Sequence, residues 1–262
     1  MRHRGMRSSR RGMGMGRNPL ASTIQKNATY SGAQSATRAG VVLRATIMAS
    51  IMLIIGGVIF QNIVTTGEIT GFQITMLIVG MVVGFISVLV GVRSLRLSKF
   101  FALIYAAMQG FVLGTISGIY EVAFGDGIVS TAVLATAGVV FAMLFLYKSG
   151  IIKVTDRFRS IMFSLLLGYV FFSFIMFILS FFGIGLFAGP ANLGILLVIS
   201  TVAVALASFF LLIDFDNIEQ MVSNDVDQRY EWVLALSLMV TIVWLYVEIL
   251  RLLAILASRS RN

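Results

Sequence analysis

From its amino terminus the chain is polar and arginine-rich for about forty residues, then falls into long apolar stretches separated by short polar breaks. Seven stretches are long enough for a helix to cross the ~30 Å hydrocarbon core of a bilayer, which takes roughly 20 residues. They run 41–64, 71–92, 100–121, 128–147, 160–182, 191–213 and 232–257. Apolar residues are continuous within each stretch. The pattern therefore predicts helices rather than the alternating, half-length strands of a barrel. An all-α integral membrane protein is expected, with a disordered basic tail over 1–40 and a seven-helix transmembrane domain over 41–258.

Composition agrees and narrows the chemistry. Hydrophobic residues make up 58% of the chain and charged residues 12%, with a mean hydropathy of +0.97. A soluble domain carries about 25% charged residues. There is no cysteine, and the one histidine, His3, lies in the tail. Disulfides, thiolate zinc sites, cysteine nucleophiles and a membrane-embedded Ser-His-Asp triad are excluded.

The net charge of +9 belongs to the tail: residues 1–44 hold eight arginines, Lys26 and no acid, while the remainder balances. Arg2, Arg4, Arg7, Arg10, Arg11 and Arg17 stand among Gly, Met and Ser, a composition that predicts disorder. Such a tail fixes topology and touches anionic lipid, each base contributing about 1 kcal/mol near the surface. A mitochondrial transit peptide and an RNA-binding arm are the alternatives. The membrane body itself gives no reason to expect nucleic acid as a partner. The first apolar run starts too far in, and is too long, for a secretory signal. Gly12, Gly14 and Gly16 lack the preceding strand and following Lys-Ser/Thr of a phosphate loop.

The breaks alternate in charge. Glu68 stands between spans one and two, and Asp126 between three and four. Arg93, Arg96 and Lys99 stand between two and three, and Lys148, Lys153, Arg157 and Arg159 against Asp156 between four and five. The positive-inside rule then puts the N-terminus in the cytoplasm and the C-terminus outside. The acidic sixth loop and the terminal Arg259 and Arg261 run against that orientation, although acids count little in the rule.

Gly110, Gly114 and Gly118 recur every fourth residue on one face of the third span, and Gly80 and Gly84 do so in the second. Small residues at that spacing let helix backbones approach closely. The two prolines, Pro19 and Pro190, fall outside the spans, so no proline kink of the kind seen in many transporters is expected.

The candidate chemistry is carboxylate. The apolar run 191–213 ends directly in Asp214, followed by Asp216 and Glu219, and the last span carries Glu248 far from either end. A carboxylate at mid-bilayer costs roughly 2.5–3.5 kcal/mol on insertion scales, so such residues mark function by default. Two apart on a helix, Asp214 and Asp216 point about 200° from each other and cannot act as a pair. Asp214 is the deeper; Asp216 and Glu219 read as solvated helix-end acids. Glu248 has two readings, an i,i+3 ion pair with Arg251 or an acid lining a pathway. Burial disfavours a charged carboxylate and a nearby cation favours it, so an acid balanced between the two responds to pH. Ionised, it is also the hard oxygen ligand that Ca²⁺ prefers.

Three pieces of the C-terminal half then resemble a known family. Ile213-Asp214-Phe215-Asp216-Asn217-Ile218, Ala235-Leu236-Ser237-Leu238 and Ile249-Leu250-Arg251-Leu252-Leu253 resemble the last two spans of the bacterial Bax-inhibitor-like proteins. Gln109-Gly110-Phe111-Val112-Leu113-Gly114 is similar to their third span, and Leu146-Tyr147-Lys148-Ser149-Gly150 to the loop after their fourth. The resemblance implies seven helices, the last central and the other six around it, in a bacterial plasma membrane. It also implies a pH-sensitive calcium leak gated by two aspartates in the last two helices and an arginine latch near the end of the second. Asp214 matches the first aspartate and Arg93 loosely matches the latch. Thr241 stands at the second aspartate's position, so either Glu248, seven residues on, has taken the role or the sensor is reduced. Asp214 is also the candidate for transient Ca²⁺ contact.

Two functions from different classes follow. One is a proton-modulated cation leak, calcium preferred. The other is a non-channel protein that binds and restrains a membrane-bound quality-control protease, with the acidic 214–231 segment and the tail as docking surfaces. An enzyme is not expected. The facing aspartates and Gly-x-Gly-Asp of an intramembrane aspartyl protease are missing. The last lysine, Lys153, is in a loop where it cannot form a retinal Schiff base. No cofactor is expected.

Overall fold

The computed structural model describes residues 34–125, 127–182 and 193–260. The tail through residue 33, including His3 and Pro19, lies outside the described residues, as do Asp126, Pro190 and Arg261. Among the described residues there are seven helices: α1 (Arg38–Thr66), α2 (Gly71–Arg93), α3 (Ser98–Phe124), α4 (Ile128–Lys148), α5 (Asp156–Phe181), α6 (Leu193–Ser223) and α7 (Tyr230–Ser260). All seven are long and apolar enough to cross a membrane, and the chain is an all-helical, multi-pass membrane protein.

Local polar residues set the ends. Thr37 starts α1 because its hydroxyl accepts from the Gly40 N–H, three residues before the apolar run begins. Gly67, at φ 68°, ends it in the left-handed conformation that costs glycine nothing. Thr70 and Gln73 cap α2 reciprocally, and the Gln73 amide reaches back to Asn62 of α1. Glu121 at the end of α3 accepts from the N–H groups of Gly127 and Val129 and so caps α4. The expected end of the sixth span at Ile213 is not where α6 stops. The helix continues ten residues further, because the acids there find partners instead of terminating it.

Residues 34–37 were expected to belong to a disordered tail. They are instead extended and docked. Ser35 bridges Asp227, the Ala36 N–H donates to Val226 O, and the Gln228 N–H donates to Gln34 O. The start of α1 is thereby tied to the α6–α7 turn.

The glycines bring α1, α2 and α3 together. A Cβ on Gly114 would lie 2.5 Å from Gly56 O, and on Gly110 or Gly118 it would lie 2.8 Å from Ile55 or Ile63 of α1. A Cβ on Gly80 would lie 2.7 Å from Val112, and on Gly84 2.9 Å from Gln109, both on α3. Along α7, 67% of the most apolar stretch is buried, against 44% in α3 and α6 and 6% in α5. This last helix packs on α1, α2, α3, α4 and α6, whereas α5 rests on α6 and meets α7 through Tyr169.

Candidate functional site

On α7, Ser237 and Thr241 are four residues apart and share a face. Both hydroxyls point at Asp214 of α6: Ser237 donates to Oδ1 at 2.8 Å and Thr241 to Oδ2 at 2.5 Å. Asp214 is only 6% exposed and Thr241 8%. Leu211, Leu212 and Ile213, all buried, precede the acid; Leu211 packs in the core around α7 and Ile213 against Met162 of α5. Each carboxylate oxygen thus has one neutral donor, and no base is in contact with it among the described residues.

Two residues on, towards the face that carries residues 34–37, lies a different arrangement. Asp216 pairs with Arg159 at the start of α5, accepts from Tyr147 Oη of α4 at 3.2 Å and from Gln220 Nε2 at 2.7 Å. Arg159 also donates to Asn217 Oδ1 at 2.7 Å. Asp216 was expected to be solvated at a helix end; it is instead a largely buried node joining α4, α5 and α6. Glu219 pairs with Arg38 of α1 and remains exposed.

Glu248, 3% exposed, sits in the opposite half of α7. Its Oε1 accepts from Tyr169 Oη at 2.5 Å and Trp244 Nε1 at 3.2 Å, and its Oε2 from Arg251 at 3.2 Å. The i,i+3 ion pair with Arg251 expected from the sequence is formed, and the carboxylate is buried. It does not reach Asp214. Trp244, on the intervening turn, packs against Phe210 and Tyr169 at ring-centroid distances of 5.9 and 6.0 Å and separates the two carboxylates.

Arg93 is exposed at the end of α2 and contacts neither acid. The arginine latch expected there is not formed; the base nearest in the network is Arg159, which pairs with Asp216 two residues beyond Asp214. Among the described residues no three His, Cys, Asp or Glu side chains gather closely enough to hold a metal ion. Gly80, Gly84, Gly110, Gly114 and Gly118 lie away from these acids, in the α1–α3 contacts.

Asp214 is sheltered between α6 and α7 and Glu248 between α7 and α5. A family model described as Bax inhibitor 1 like matches residues 18–258. The chain belongs to the Bax inhibitor 1-like family. No curated protein and no solved structure matches the chain. In the family pattern described above a second aspartate stands where this chain has Thr241. Here the threonine hydroxyl makes the hydrogen bond to Asp214 that a protonated carboxyl would make.

Sequence reasoning missed Ser237, Arg159, Tyr169 and a third buried acid, Glu231. Fully buried, Glu231 accepts from Thr37 N at 2.7 Å and Thr37 Oγ1 at 3.0 Å, and pairs with Arg44 of α1. Arg44 also lies over the Trp232 ring, with Lys99 close by. A signal was present: Arg44 falls inside the first apolar run, and a base there needs an acid.

Proposed function

We propose that this protein is a proton-modulated cation leak, calcium favoured, in a bacterial plasma membrane, with Asp214 as its switch. The observation that carries this reading is the Asp214 carboxylate, buried between α6 and α7 and held by two hydroxyls. Ionised, it accepts from both Ser237 and Thr241. Protonated, it becomes a donor itself, and one of those hydrogen bonds has to be remade. The α6–α7 contact therefore differs between the two charge states. The ionised form is also a hard oxygen ligand for a passing cation. Trp244 and Phe210 form an apolar barrier between Asp214 and Glu248, and displacing them would connect the two acids.

Basic breaks on one face favour a cytoplasmic N-terminus. That face carries residues 34–37, the α2–α3 and α4–α5 connections and the α6–α7 turn; the Arg38–Glu219, Arg44–Glu231 and Arg159–Asp216 pairs tie the ends of α1, α5, α6 and α7 together there. On this reading the protein is not an enzyme. The alternative, a regulator of a membrane protease, draws less support because Asp216, Glu219 and Glu231 are already paired within the chain.

Calcium flux into proteoliposomes of purified protein tests the proposal. Wild-type flux is expected to change from about pH 6 to about pH 8, and Asp214→Asn to fix it at the level of the protonated state. Absence of flux would favour the adaptor, and an Asn variant that kept the wild-type pH response would remove Asp214 from the mechanism.

A further inference from the structure

A cleft of about 460 Å³ opens between α1 and α4, floored by α3 and α7. The helices α1 and α4 lean on α3 and α7 rather than on each other. On α1 the cleft runs from Ala49 to Phe60 and on α4 from Phe141 to Val129. Eleven residue steps at 1.5 Å make it about 16 Å long, close to one leaflet of a ~30 Å hydrocarbon core. Val129 is the second residue of α4 and most of the α1 stretch lies past that helix's midpoint, so the greater part of the cleft lies in the leaflet opposite residues 34–37.

Its chemistry is apolar throughout. The hydroxyls on its wall already have partners: Thr136 donates to Ala132 O at 2.7 Å, and Ser117 and Tyr246 bond each other at 2.6 Å. No carboxylate or base borders it. At its mouth Leu53, Val133 and Phe141 are exposed and continue into the bilayer-facing surface.

We infer that this cleft is a binding site for one acyl chain of a phospholipid from that leaflet. A volume of 460 Å³ falls in the ~300–1,000 Å³ range of small-molecule sites. A partner helix would have to cross the whole ~30 Å of hydrocarbon, whereas the cleft is only as long as one leaflet, which suits an acyl chain. Left empty, the walls would lose dispersion contacts on one side. A chain of methylenes makes those contacts and asks for no hydrogen bond. The bound chain completes the packing that α1 and α4 do not make with each other.

Gly57 provides the test, since it lines the cleft and a Cβ there meets nothing within 4 Å. The full chain is placed in nanodiscs with a phospholipid carrying a diazirine in its acyl chain, and labelled peptides are mapped by mass spectrometry. Peptides covering 49–60 and 129–141 are expected to carry several-fold more label than 161–178 of α5, the least buried helix. Gly57→Leu, which fills the space, is expected to reduce them to the α5 level, while Gly57→Ala leaves them high. Uniform labelling, meaning ordinary bilayer contact only, would overturn the inference. So would labelling below that of α5, which would mean that another protein covers the cleft, or an enrichment that survives Gly57→Leu.

Discussion

At Asp214 two hydroxyls from one face of α7 hold one carboxylate of α6, and the charge of that carboxylate sets which way the hydrogen bonds run. Thr241→Val keeps the shape but leaves Oδ2 without its donor. A net hydrogen bond contributes about 1 kcal/mol, and interhelical bonds in membranes average about 0.6 kcal/mol. The thermal midpoint in detergent is therefore expected to fall modestly, while the pH dependence of flux shifts clearly. An unchanged pH profile would show that Thr241 does not set the state of Asp214. The acid itself was legible in the sequence because it ends an apolar run. Its donors were not, since serine and threonine are common in membrane helices and only a contact across 23 and 27 positions gives these two a role.

Between elements, glycine decides how near α1 and α3 can come. Gly114 faces Gly56 backbone to backbone, and a Cβ there would be 2.8 Å from Gly56 Cα. Neither backbone can yield without moving a whole helix. Gly114→Val is expected to destabilise the fold by about 1–3 kcal/mol, the usual cost of overpacking. Gly138→Ala on α4, where a Cβ meets nothing within 4 Å, should stay within about 0.5 kcal/mol of wild type. Comparing thermal midpoints of the two variants in the same detergent checks this; equal losses would mean that the close approach to Gly56 does not set the cost. The four-residue spacing in α3 was readable in advance. Which helix it met was not.

On the scale of the molecule, two largely buried ion pairs, the exposed Arg38–Glu219 pair and the docked segment 34–37 tie the start of α1, the start of α5 and the α6–α7 turn together on one face. Absence of native cysteine makes sidedness simple to map. With a membrane-impermeant maleimide on intact cells, Glu68→Cys is expected to react, and Ser149→Cys and Asn224→Cys only after permeabilisation. The reverse pattern would invert the proposed orientation, and labelling of Ser149→Cys without Asn224→Cys would contradict the shared face.

The number of spans, their helical character and their approximate limits were determined by sequence alone, because crossing hydrocarbon is a local requirement on some twenty consecutive residues. Tertiary structure decided the rest. Arg159 rather than Arg93 lies beside the acids, Asp216 is a node rather than a solvated end, and Glu231 finds Arg44 across 187 positions. A charge inside a membrane protein has to be satisfied, but which distant residue satisfies it depends on how the helices pack, and no local pattern carries that information.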